Sequence, residues 1–320
     1  MKQLLIILLF ISTNLNAQKF AKVDELVRNY PRFSKVEALA KKIEKDFTKD
    51  IDKARATFFW LTQNIRYNLK ELYNPRKKRS YRFKFSSEED RLQKIQAIKD
   101  QFVAKAFRTK MGVCEEYAQA FKKVCDLLGI EAAVLKGNVR NEAREIGTIS
   151  RGTNHAWNAV KINEKWLILD ATWAAGYEYN GKWIRRFNGY FFDIPKDKMF
   201  KTHYPKDKLW VLRFGRMSLE EFYNQPIYTN TFLGLQTELL LPKKGTISLK
   251  SSENILLKFK NLDSNAIIFY AMSGNKYAQK PLITTANKIS TISIKNPKRN
   301  ADLVLYINQK DALHFKVRVR

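Results

Sequence analysis

The sequence predicts an α+β core followed by a small β-sandwich, and three observations carry that expectation. Apolar residues recur at helical spacing through 34–47, 52–66 and 114–128. Three strand-like runs follow the last of these helices, the order expected when helices pack on an antiparallel sheet. From about Tyr228 onward, seven short β-prone runs alternate with turn residues over roughly 90 residues, the density of an immunoglobulin-like sandwich. The chain divides accordingly into a leader at 1–17, a core with N-terminal helices at 18–225, and a β-sandwich at 226–320.

Its 320 residues, 45% hydrophobic and 13% aromatic, suffice for two domains with a sizeable core. The opening MKQLLIILLFISTNLNAQ has a charged start at Lys2, an apolar run from Leu4 to Ile11 and a small residue at Ala17. This is the pattern of a signal peptide, too short for a membrane span. The mature protein is expected in the periplasm or outside the cell. No cysteine follows the apolar run to carry a lipid anchor, and no later stretch is long enough to cross a bilayer.

The first core helices come next. In 52–66 an apolar stripe runs through Ala56, Phe59 and Trp60 and on through Gln63 to Tyr67, with Asp52 as the expected N-cap. The segment NPRKKRSYRFKF (74–85) is basic and aperiodic and reads as an exposed loop, or as a polyanion-binding patch with interleaved aromatics. Ser86 with Glu89 forms a capping-box pattern that opens a helix to about Phe107. The helix at 114–128 stops at Gly129 and should bury Cys114, Tyr117, Phe121, Val124, Cys125 and Leu128. IEAAVLKGNV, NHAWNAVKI and KWLILDATW then read as strands.

Cys114 and Cys125 are the two cysteines. On one helix, eleven residues at about 1.5 Å each separate them by roughly 16 Å. A disulfide needs Cα atoms within about 7 Å, so both thiols should be free. Cys114 stands at the helix start, where unpaired N–H groups and the positive dipole end favour a thiolate and can hold an oxyanion. Gly112 leaves room there for a substrate backbone. Cys125 lies three turns further on, in the core.

A tight connection at Asn163-Glu164 would pair Ile162 with Lys165, so that Trp157 faces Asp170 and His155 faces Thr172. These four residues then share one face, and His155 and Asp170 become diagonal neighbours roughly 7 Å apart along the backbone. A carboxylate that fixes an imidazole, and an imidazole that takes a thiol proton, are the parts of a nucleophilic triad. The catalytic candidates are therefore Cys114, His155 and Asp170, with Gly112, Trp157, Trp173 and Glu116 as candidate cleft residues. Glu115 and Glu116 suit a helix start and could also select a cationic substrate group. His203 and His314 have no thiol or acidic partner recognisable by spacing. With dispersed histidines and no cysteine pairs, neither a zinc site nor a cofactor is expected.

GVCEEYAQAF, NHAWNAV and LDATWAAG resemble the three core motifs of the transglutaminase-like superfamily, over roughly residues 50–175. KTHYPKDKLW resembles a tail of its kyphoscoliosis-peptidase-like branch. The resemblance implies a papain-like core with Cys114 as nucleophile, His155 as base and Asp170 as orienter, acting on peptide or carboxamide bonds without a cofactor. The implied activity is hydrolysis, with protein cross-linking, or envelope binding through the same cleft, as alternatives. The partners expected are a protein or peptide substrate and, through 59 basic against 31 acidic residues and a net charge of +28, an anionic surface polymer. That charge also serves general solubility. Nucleic acid is disfavoured by export and by the lack of a recognised motif.

Overall fold

The computed structural model describes residues 19–74 and 83–320, so the signal-peptide expectation and most of the basic segment 74–85 lie outside the described residues. Two compact units emerge, one of residues up to 134 with 157–193, the other of residues 135–156 with 194–320. Both combine helices with antiparallel strand pairs, as the α+β expectation requires. Among the described residues no helix is long and apolar enough to cross a membrane.

The first unit is built around the helix Asp50–Asn64, in which every residue from Lys53 to Thr62 is buried. A helix apolar on all sides must be surrounded, and this one is. Trp60 stacks on Phe107 with ring centroids 5.1 Å apart and donates its indole N–H to the Pro31 carbonyl at 3.1 Å. Arg55 is buried too, and its guanidinium meets the Asp24 carboxylate at 2.8 and 2.6 Å. The rings of Phe20, Phe58, Phe187 and Phe192 surround that guanidinium at 5.1–5.5 Å. A buried charge of this kind persists only because it is paired and its apolar surroundings still offer ring faces.

Helix starts differ from expectation in two places. Asp52 lies inside the first turn of Asp50–Asn64, with Lys49 at the cap, so its carboxylate favours the helix through the dipole and not as a cap. The long helix spans Glu88–Thr109, and its cap is Ser87, whose hydroxyl accepts the Asp90 N–H, while Asp90 in turn accepts from Ser86. The capping geometry is the expected one moved by a residue.

The helix Cys114–Leu127 ends as the sequence predicts. Gly129 takes φ +70°, the Gly129 N–H donates to Asp126 and the Ile130 N–H to Cys125, closing a Schellman motif. The strands His155–Ile162 and Lys165–Leu169 form the expected hairpin, with Ile162 opposite Lys165 and Asn158 opposite Leu169. Asn163 and Glu164 both adopt positive φ, as a two-residue turn demands. The second strand is shorter than expected: it ends at Leu169, and Asp170 caps the helix Ala171–Ala175. Thr172 therefore lies in a helix and cannot be the strand partner of His155.

In the second unit, Ala132–Val139 continues from the first and pairs with His203–Pro205 through Gly137 to Val139. Arg140 is buried against the Phe222 ring and donates to the carbonyls of Tyr223, Gln225 and Pro226. Burial lowers its pKa to about 10. The remainder of this unit holds two sheets, one of four strands and one of five, the fifth being Ile227–Tyr228 on the strand Lys310–Val319. One orders Glu238–Leu241, Ile255–Lys260, Ile289–Ile294 and Leu282–Ala286; the other orders Thr246–Leu249, Lys310–Val319, Ala301–Ile307 and Ile268–Met272. Strict alternation of buried and exposed positions in Ile255–Lys260 gives that strand one core face. Leu282–Ala286 was not expected, because all five residues are exposed at a sheet edge and carry no alternation.

Lys110 gives this core a pH signature. Its ammonium donates to the Phe33 carbonyl and sits 5.1 and 5.4 Å from the Trp60 and Phe107 rings. Burial, helped by Arg32, lowers its pKa to about 8. Between that value and the ordinary lysine value of about 10.4, the unfolded chain binds the proton and the folded chain does not, so this residue adds stability as pH rises. Replacing Lys110 with Met removes the penalty, so the stability gap between Lys110→Met and wild type should narrow from about pH 8 to about pH 10 in urea titrations. A gap that stays constant across that range contradicts the assignment.

Candidate active site

The thiol candidate is positioned by the residues just before it. Met111–Gly112 pairs in parallel with Arg66–Tyr67, placing Tyr67 opposite Gly112. The Arg66 N–H donates to the Lys110 carbonyl at 2.8 Å and the Asn68 N–H to the Gly112 carbonyl at 3.0 Å. Val113 is extended, and Cys114 is the first residue of the helix, half-buried, with a free thiol. Val113 has no side-chain acceptor for the helix's unpaired N–H groups. Glu116 supplies the reciprocal half of the cap instead, its carboxylate accepting the Val113 N–H at 3.0 Å.

Glu116 is thus held inward, buried, with its other oxygen on Lys105 at 2.9 Å. Lys105 also reaches Glu71 at 3.0 Å. Burial works against the Lys105 charge, yet the hydrogen bonds to Glu116 and Glu71 carry its pKa above the ordinary lysine value. Glu116 serves the helix start. Gly112 also has a packing reason: a Cβ there would stand 2.7 Å from the Glu116 Cβ.

Asp170 is fully buried. Its Oδ1 accepts the N–H groups of Thr172 at 2.8 Å and Trp173 at 3.1 Å, and its own N–H donates to Phe191 at 2.9 Å. His155 is the first residue of its strand and is buried. Spacing did not reveal a second buried imidazole beside that of His155: His203, whose ring lies 5.8 Å from it and whose Nδ1 meets the Thr202 hydroxyl at 2.7 Å. His203 falls within KTHYPKDKLW, but no spacing gives it a partner, because the strand pairing that sets it opposite Val139 is a tertiary contact.

Of the other candidates, Trp157 is buried, and Trp173 is half-buried with its ring edge-on to Phe191 at 5.5 Å. Cys125 is fully buried, and burial, with Asp126 beside it, raises its thiol pKa far above the ordinary value. His314 sits in the β-sandwich, 3.5 Å from Asp311.

Tyr67 lies beside Met111–Gly112 through the short parallel pairing, and burial raises the pKa of its phenol strongly, with the Cys114 thiol and the Asp170 carboxylate raising it further. Its ring stacks on Trp183 at 5.4 Å, with the planes 28° apart.

Residues 37–171 match the family described as the transglutaminase-like superfamily. The chain is similar to the kyphoscoliosis peptidase of Homo sapiens, 25% identical over 224 residues, which is 69% of this chain and 31% of that protein. It is 22% identical to the Mus musculus kyphoscoliosis peptidase over 322 residues, 96% of this chain and 46% of that one. The chain thus spans less than half the length of these relatives. A solved structure described as a TGase aligns with a TM-score of 0.29 and 15% identity, covering 55% of this chain and 37% of that one.

The helix start can be tested directly. Glu116→Ala removes the acceptor of the Val113 N–H and one partner of Lys105, and should lower unfolding stability by about 1–2 kcal/mol in denaturant titration. A loss below about 0.5 kcal/mol, the size of an ordinary surface change, means that this carboxylate does not hold the helix start.

Proposed function

We propose that this chain, whose residues 37–171 match the transglutaminase-like superfamily, is an exported, cysteine-dependent acyl-transfer enzyme that hydrolyses peptide or carboxamide bonds. The observation that carries the reading is that the stretch matching this family holds Cys114 half-buried at a helix start, His155 buried at a strand start and Asp170 buried as a helix cap.

In this reading His155 takes the Cys114 proton as the sulfur attacks the carbonyl carbon, and gives it to the departing amine. Water then attacks the thioester with His155 as base. Asp170, itself held by the N–H groups of Thr172 and Trp173, fixes the imidazole. Cys125, buried and hard to ionise, takes no part. The names of the two relatives support hydrolysis over cross-linking. So does chemistry: water is always at hand, whereas productive amine capture needs a dedicated second site. The excess of basic residues would bring the protein to an anionic surface polymer near its substrate.

The test offers a glutamine-containing peptide with and without an amine acceptor, together with p-nitrophenyl acetate, and follows products and Cys114 acylation by mass spectrometry. Wild type should be acetylated at Cys114 and release free acid whether or not amine is present. Cys114→Ala and His155→Ala should abolish turnover, and Asp170→Asn, which can still cap its helix, should reduce it by roughly 10²–10⁴-fold. Turnover undiminished in Cys114→Ala would falsify the reading. Conjugation in preference to hydrolysis would replace peptidase with cross-linker.

A further inference from the structure

Resting on the acyl-transfer reading, we infer that His203 is a positioning residue for His155, the buried ring that keeps the proposed base in one orientation.

A base that moves a proton needs a fixed ring, because its two nitrogens differ and only one can face the group it serves. His155 is the first residue of its strand, so the residue before it has to anchor that end. The Asn154 N–H donates to the Gly137 carbonyl at 3.0 Å. The Asn154 side chain closes on Val139 twice, accepting its N–H and donating to its carbonyl, each at 2.9 Å. Val139 is also the residue that pairs with His203. One strand position thus registers both imidazoles, and all of these residues belong to the second unit. The two buried rings meet with centroids 5.8 Å apart and planes at 55°.

His203 itself is held from several sides. It follows the last residue of the helix Lys196–Thr202, and its N–H donates to the Met199 carbonyl. It opens the strand His203–Pro205, which pairs with Gly137–Val139, and beyond that strand the Lys206 N–H donates to the Lys136 carbonyl at 2.8 Å. Tyr204 points to the opposite face and donates to the Met217 carbonyl at 3.0 Å. The ring is locked as well as its root: Nδ1 meets the Thr202 hydroxyl at 2.7 Å, and both residues are fully buried. An aliphatic side chain would fill this place without a polar ring to satisfy. The histidine, fixed through Thr202, instead sets a flat, oriented wall beside the imidazole that the reaction uses, and close packing lets such a wall limit how that imidazole turns.

The chain has three histidines, so imidazole nitrogen NMR can follow each of them. At mildly alkaline pH, where an imidazole is neutral, a held ring shows two distinct nitrogen shifts, and a ring released into two orientations exchanges tautomers so that the shifts converge. Thr202→Val keeps the volume and removes the hydroxyl that locks His203; His203→Ala removes the wall. Wild-type His155 should show the distinct pair. In both variants the pair should converge, and kcat for p-nitrophenyl acetate should fall by roughly 10–10²-fold with KM little changed. His314, in the strand Lys310–Val319, should keep its spectrum. Unaltered His155 shifts in both variants overturn the assignment. A change that reaches His314 equally, with a falling melting temperature, also overturns it, because His203 would then serve the core alone. Wild type that shows the distinct pair, loses it in the variants and never acetylates Cys114 is a separate outcome: the acyl-transfer reading fails, while the hold of His203 on His155 stands.

Discussion

The structure of the site depends on how the helix beginning at Cys114 is started. A helix exposes its first N–H groups, and a buried helix end must find acceptors for them. Valine precedes the cysteine and has none to give. The chain solves this with Glu116, which turns back to the Val113 N–H and is steadied by Lys105. That arrangement forces glycine at 112, because any side chain there would collide with Glu116. Gly112 in turn lies in register with Tyr67. One unmet need at a helix end thus links a buried acid and a glycine beside the thiol.

The same economy governs Asp170. A fully buried carboxylate is costly unless its oxygens are engaged. Two backbone N–H groups at the start of Ala171–Ala175 engage one of them, and this also ends the preceding strand. The residue is fixed by its duty as a cap. The two cysteines illustrate the converse. They share a helix, but Cys125 lies wholly in the core, where burial suppresses ionisation, while Cys114 stands half-buried at the helix end where N–H groups converge.

Local signals were legible wherever local chemistry decides the outcome. Gly129 ended its helix because only a residue at ease with positive φ completes a Schellman motif. The hairpin register was readable because a two-residue turn leaves one pairing. Asp170 was placed correctly in sequence but assigned to a strand, since a capping aspartate and a strand end look alike until the following N–H groups are seen to fold back on it. The edge strand Leu282–Ala286 escaped because it has no buried face. The hairpin Gly176–Tyr179 with Lys182–Arg185 was overlooked although Asn180-Gly181 is a turn signal, and with it went Trp183, the residue that stacks on Tyr67.

By itself the sequence determined the α+β order of elements, the free thiols and the register of the hairpin after His155, because each follows from periodicity, element geometry or turn length. Only the tertiary structure decided which groups come together from distant segments. His203 comes beside His155 through a strand pairing between positions far apart in the chain, and Tyr67 lies in register with Gly112 through a two-residue parallel ladder too short to leave a pattern. Such contacts are fixed by packing between distant segments, and no spacing along the chain encodes them.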